Sequence, residues 1–170
     1  RFLFDEIAKL GCDVGSPFGF VRCASVDRSG PLGDKMVGGF AVNDGSQKRY
    51  APGVVVVAEH APDKAVSERP LVHELVHAYD QCRATVDWKR GARHACAEIR
   101  ASSLSGECDL SQEINRGVFG LMAHHGKCVR RRAALSLALA GRAEPEATVD
   151  AVFDRCYADT APFERHPDFA

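Results

Sequence analysis

RPLVHELVHAYDQCR, residues 69–83, sets two histidines four residues apart, with a glutamate directly after the first and an aspartate three beyond the second. On an α-helix, residues four apart are rotated by only about 40° and separated by about 6 Å along the axis. His73 and His77 therefore point the same way, and both imidazoles can reach one ion at roughly 2.0–2.1 Å. Glu74 lies about 100° around the helix from His73, so it faces a water on such an ion and not the ion itself. This is the layout of a zinc peptidase: the metal lowers the pKa of the water toward about 7, and the glutamate takes its proton and hands it to the leaving amine.

A catalytic zinc needs a third protein ligand and an open position. Asp80 shares the face of both histidines, but seven residues of helix place it about 10 Å along the axis from His73. It fits better as a carboxylate that orients a ligand histidine or caps a neighbouring helix. Glu98, in EIRAS on the next helical stretch, is the favoured third ligand, since His-His-Glu is a known zinc-peptidase donor set. His94, four residues earlier on the same face, stays open as its substitute or as a pocket wall, and Asp80 stays open behind both. A histidine pair at this spacing also arises by chance on ordinary helices. Here Leu71, Val72, Leu75 and Val76 surround the polar triplet and a buried strand precedes it, which is the setting a metal helix requires.

Outward from this segment, Val54 to Val57 reads as that buried strand, over 54–58, with a second strand over 36–42 and turns at NDG and APG between them. Ser67 is the expected cap of a helix over 68–83, with Glu68 in its first turn and Pro70 near its start. Before the strands, FLFDEIAKL (2–10) spaces Phe2, Ile7 and Leu10 helically, and Gly11 supplies a stop. After the metal helix, further helices are expected over 92–105, over 111–140 with a break near Gly120 or HHGK, and over 146–159. The last of these puts Val149, Val152, Phe153 and Cys156 on one stripe. The fold class is α+β and mainly helical, with a short β-sheet before the zinc helix, in a single domain over residues 1–170.

The bulk numbers agree with one sizeable core: 170 residues, 45% of them hydrophobic. A formal net charge of −1 provides no global attraction to nucleic acid, so no nucleic-acid partner is expected. The longest apolar stretch, AALSLALAG (133–141), falls far short of the roughly 18–20 residues of a membrane span. The chain begins at Arg1, so its start says nothing about targeting. Seven cysteines, at 12, 23, 82, 96, 108, 128 and 156, form no CxxC pair. So dispersed a set points to scattered disulfides in an oxidising compartment, or to small buried side chains in a reducing one; an odd count leaves one thiol over.

Several smaller features carry two readings each. Arg130-Arg131-Arg132 beside Lys127 could meet anionic lipid, but is better read as a solvated helix face that pairs internal carboxylates. GGF (38–40) is an edge strand able to pair an extended substrate, or equally a bulge. DTAPF (159–163) reads as a turn that packs Phe163, Asp87 and Trp88 as walls of the pocket, and Cys82 as a disulfide or core residue.

Beyond the motif, HELVHAYDQCRATVDW, RHACAEIRASSLSGEC, CVRRRAALS and CYADTAPFERHP together resemble a family of mitochondrial inner-membrane metalloproteases. These process an ATP synthase subunit, and the family includes the Ku-binding protein of animals. The likeness runs from about Gly11 to Phe163. It implies a zincin-like, small gluzincin-like fold and a zinc endopeptidase on the intermembrane-space side of the inner membrane, peripherally attached. His73 and His77 match the family's metal ligands and Glu74 its catalytic glutamate; Glu98 rests on the ligand argument above. The implied partner is the precursor of a membrane-embedded ATP synthase subunit, subunit a (subunit 6). The resemblance also implies a second reading, a non-proteolytic chaperone for assembly of the membrane sector. The Ku-binding name suggests nuclear DNA repair, which the charge balance does not support.

Overall fold

Val54, Val55, Val56 and Val57 are four β-branched residues in succession, and they form the centre of the sheet. The computed structural model describes residues 1–12, 14, 15, 17–25, 37–41, 53–60, 63–119 and 124–166. It divides into two compact units, residues 1–83 and 84–170.

In the first unit, α1 (Phe2–Lys9) ends just before Gly11, whose φ of +82° is the left-handed turn that stops a helix. A short α2 (Pro17–Phe20) leads into β1 (Val21–Ala24), then β2 (Gly38–Ala41) and β3 (Gly53–Val57). The sheet order is β1-β3-β2, with β1 parallel and β2 antiparallel to β3. The valine run thus occupies the middle strand, and only Val55 is more than marginally exposed. The two strands expected at 36–42 and 54–58 are observed within a residue or two of those limits. Strand β1 was not foreseen: VRCA is too short and too polar to stand out. NDG and the Ala51-Pro52 part of APG lie outside the described residues.

A 3₁₀ turn (Ala58–His60) precedes α3, Lys64–Ala84. This helix starts a turn earlier than expected. Asp63 caps it, its Oδ1 accepting the Val66 N–H at 3.0 Å, while the Ser67 hydroxyl donates back to the Asp63 carbonyl from inside the helix. Pro70 is consequently in the second turn, where it removes the hydrogen bond to the Val66 carbonyl. Every residue from Glu74 to Asp80 is buried, so the middle of α3 is enclosed on all sides. A disulfide joins Cys12, just after α1, to Cys82 near the end of α3.

The second unit is helical. Its central helix is α4 (Gly91–Leu104), buried at every position from Ala97 to Leu104. It packs against α6 (His124–Leu139), α7 (Pro145–Asp150) and α8 (Phe153–Tyr157), and a short α5 (Leu110–Asn115) packs on α6. The core joins Ala95 and Ile99 to Val129, Ala133, Leu137, Val149 and Phe153. Two disulfides cross it, Cys96–Cys156 and Cys108–Cys128. The stretch expected over 111–140 with a break near Gly120 or HHGK is α5 and α6: α5 ends at Asn115 and α6 begins at His124, the first residue of HHGK, while Gly120 lies outside the described residues. The helix expected over 146–159 is also two. Nothing in the hydrophobic pattern marks that break, because Val149, Phe153 and Cys156 keep one stripe and all are buried.

DTAPF is a structural turn, as expected. Arg100, 2% exposed on α4, pairs with the Asp159 carboxylate at 2.7 Å and donates to the carbonyls of Asp159 and Ala161. The Ala161–Pro162 peptide is cis, and the Phe163 N–H closes the turn onto the Thr160 carbonyl.

Candidate metal centre

The i, i+4 spacing on α3 produces the geometry anticipated for it. The His73 and His77 Nε2 atoms stand 3.1 Å apart, with ring centroids 4.8 Å apart and planes at 83°. Two nitrogens bound to one ion at about 2.05 Å, at a tetrahedral angle, would be separated by about 3.3 Å. The pair is thus already at ligating separation, and His77 is 4% exposed. One half-buried and one buried imidazole, with their Nε2 atoms at this separation, fit a zinc ion.

Glu74 follows on the adjacent face of α3, buried, with β2 against it: its Cγ is the side-chain atom nearest to where a Cβ on Gly38 would stand. Residue 38 also lies tight against β3, where a Cβ would stand 3.0 Å from the Val55 carbonyl oxygen. Asp80, one turn beyond His77, is buried and ion-paired with Arg83 at 3.3 Å.

Glu98 is carried by α4 in the second unit. It is 5% exposed, and the His94 Nε2 stands 3.4 Å from its Oε1 one turn earlier on the same helix. Trp88 sets its ring edge-on to His94 at 5.7 Å, and its carbonyl accepts a hydrogen bond from Arg142 at 2.6 Å. Asp87 is occupied locally, accepting the Lys89 N–H and pairing with Arg90.

The arginine run pairs with carboxylates. Arg131 donates to both oxygens of buried Glu113 at 2.7 and 2.9 Å, Arg132 to Glu107 at 2.9 Å, and Arg130 to Asp150 at 3.2 Å. Burial alone would push the Glu113 carboxyl up; the hydrogen bonds and charges of Arg131 and Arg116 outweigh it and hold the group below its ordinary value. Six of the seven cysteines are in disulfides, Cys82 among them, and Cys23 on β1 is free and exposed.

One polar cluster escaped the sequence reading. His125 Nδ1 lies 2.6 Å from the Tyr157 hydroxyl, and His166 Nδ1 lies 2.7 Å from the Ser103 hydroxyl, with the Tyr157 and His166 rings stacked at 4.5 Å. It ties the end of the described chain to α4 and α6. Its members are scattered over 64 positions, from 103 to 166, so no local spacing could have revealed it.

Comparison with known proteins adds an independent finding. The peptidase M76 family profile matches residues 1–164. The mitochondrial inner membrane protease ATP23 of Mycosarcoma maydis is 36% identical over 96% of this chain and 82% of its own length. The human homologue of that protease is 39% identical over 98% of this chain and 64% of its own length. The Danio rerio homologue is 47% identical over 67% of this chain and 46% of its own. The chain thus spans from about half to four fifths of these curated relatives. No solved structure matches.

Proposed function

The chain belongs to the peptidase M76 family, and from that premise we propose that it is a zinc-dependent endopeptidase of the mitochondrial inner membrane, acting from the intermembrane-space side. The observation that carries the chemistry is the His73–His77 pair, held at ligating separation on an enclosed helix with Glu74 beside it.

Glu98 completes the ligand set in this reading. As donors, His73, His77 and Glu98 suit a metal ion, and the Glu98 carboxylate is a buried group that requires a partner of positive charge or a hydrogen-bond donor. When bound, the zinc lowers the pKa of a water toward about 7 and polarises the scissile carbonyl. Glu74 takes the proton of the attacking water and delivers it to the leaving amine nitrogen. Burial keeps bulk water away from that carboxylate. Strand β2 supplies the place for an extended substrate. The Val57 N–H donates to the Val37 carbonyl, so by antiparallel alternation Gly39 and Ala41 face β3, while Gly38 and Phe40 direct their backbone groups away from it. A peptide added along that edge would lie next to Glu74.

The relatives are named as inner membrane proteases, and no described helix is long and apolar enough to cross a membrane, which supports peripheral attachment. Three disulfides support an oxidising compartment such as the intermembrane space. The substrate proposed is the precursor of the membrane-embedded ATP synthase subunit a.

The deciding test is Glu74→Gln. The variant should keep its zinc and lose precursor cleavage; cleavage at the wild-type rate would overturn the mechanism. Glu98→Ala should lose most bound zinc, and unchanged metal content would transfer the ligand role to His94 or Asp80. Expressing Glu74→Gln in a null strain separates cleavage from chaperoning. ATP synthase assembly restored without precursor cleavage would make the assembly role the essential one.

A further inference from the structure

In the second unit, the exposed large apolar side chains among the described residues are Ile114, Val118 and Phe119, on α5 and the turn after it, and Leu135 and Leu139 on α6. Scattered exposed apolar residues need no explanation, but the two elements that carry these are tied to each other. The Val118 N–H donates to the Glu113 carbonyl at 2.9 Å, folding the turn after α5 back on that helix. The Glu113 carboxylate in turn binds Arg116 and Arg131, so α5 and its turn are fastened to α6. From Arg131 the outer row of α6 continues to Leu135 and Leu139 at successive four-residue steps, and one step earlier stands Lys127. Lys127 is exposed and forms no ion pair among the described residues. Alongside this row runs a cleft of about 830 Å³ with Ala134, Ala138 and Val149 in its lining. Its basic lining comes from Arg116 and α6, and its carboxylates, Glu146 and Asp150, from the α7 side. Phe119, at 74% exposure, is the most exposed of these apolar side chains.

We propose that this α5–α6 face docks on the surface of an anionic phospholipid bilayer. Phe119, Leu135 and Leu139 enter the boundary between headgroups and acyl chains, and Lys127 and the outer edge of Arg131 meet lipid phosphate. An apolar ridge with interleaved basic residues on its rim is the pattern that holds a protein in the interfacial plane. The charge attraction is supplied chiefly by Lys127, because Arg131 and Arg132 already serve carboxylates of the chain. The inference rests on the reading that the chain works at the inner membrane without spanning it.

The test is flotation of the whole chain with vesicles of phosphatidylcholine containing cardiolipin, and with vesicles of phosphatidylcholine alone. Binding is expected to the first and to be much weaker to the second. Lys127→Glu should weaken it at least about fivefold, and Phe119→Ser with Leu139→Ser by about tenfold or more. All these positions are exposed, so folding and the cleavage of a short soluble peptide should be unchanged. A wild-type chain that ignores cardiolipin vesicles overturns the proposal and leaves the face to a protein partner, and so do variants that float as the wild type does. A chain that floats but cuts no peptide sinks the peptidase reading and supports the docking face.

Discussion

Gly38 of the sheet edge lies against Glu74 of the metal helix: a Cβ built on this glycine would stand 3.4 Å from the Glu74 Cγ and 3.0 Å from the Val55 carbonyl oxygen. The second distance is tighter than side chains ordinarily accept, so a substituent must shift β2 from β3 by a few tenths of an ångström, and with β2 moves the wall against which Glu74 rests. Gly38→Ala should therefore lower the cleavage rate by about tenfold to a hundredfold, since a general base loses much of its effect when misplaced by a fraction of an ångström to an ångström. Zinc content should be unchanged, with a stability loss of about 1 kcal/mol. Peptide cleavage at the wild-type rate would show that the close approach does not position Glu74.

How much of this site was readable in the sequence depends on the range of the interaction. His73, Glu74 and His77 are three positions on one helix, and helical geometry alone set their directions. The helix itself was found through apolar neighbours and a preceding valine run, although its start was misplaced because Ser67 and Asp63 are both good caps and the choice between them is made in three dimensions. Gly38 left only a weak trace, a glycine pair inside a strand. Arg100 left none. A charged residue at the centre of α4 gives no sign of its partners when they lie 59 and 61 residues away on a turn.

That arginine leads to a second expectation. Arg100 is buried among one carboxylate and two carbonyls, so removing it strands three acceptors. Arg100→Met should destabilise the second unit by about 3 kcal/mol or more. Arg100→Lys should rescue little, because a single ammonium lacks the planar fork that reaches all three. Asp159→Asn should cost about 1 kcal/mol or less, as Asp159 is 36% exposed and the carbonyls keep their donor. Denaturant midpoints of the three variants test the order, and an Arg100→Met midpoint equal to that of Asp159→Asn contradicts it.

Glu113 sets a pH dependence. Its folded-state carboxyl is held below the ordinary value, so it contributes stability that is complete above the unfolded pKa, about 4.3. That contribution is lost as pH falls through the lower, folded value. Urea unfolding followed from about pH 6 to pH 3 should show stability falling with acid below about pH 4.5. The slope should be shallower in Glu113→Gln, which is less stable at neutral pH because Arg116 and Arg131 lose their shared carboxylate. An identical slope in the variant would mean that other carboxylates govern the acid limit.

The cysteines divide six to one, and thiol counting can check this directly. Without reductant or denaturant, an aqueous thiol reagent should modify one cysteine per chain, Cys23, which is exposed on β1. Denaturation without reductant should reveal no more. Among the bridges, the cost of removal follows the length of chain each one closes. Cys96–Cys156 spans 60 residues and Cys108–Cys128 spans 20, so by loop entropy they contribute about 4 and about 3 kcal/mol. The Cys96→Ser, Cys156→Ser pair should accordingly unfold at lower denaturant than the Cys108→Ser, Cys128→Ser pair. Three titrating thiols in the folded chain would break this assignment, because one of the three bridges would then be open.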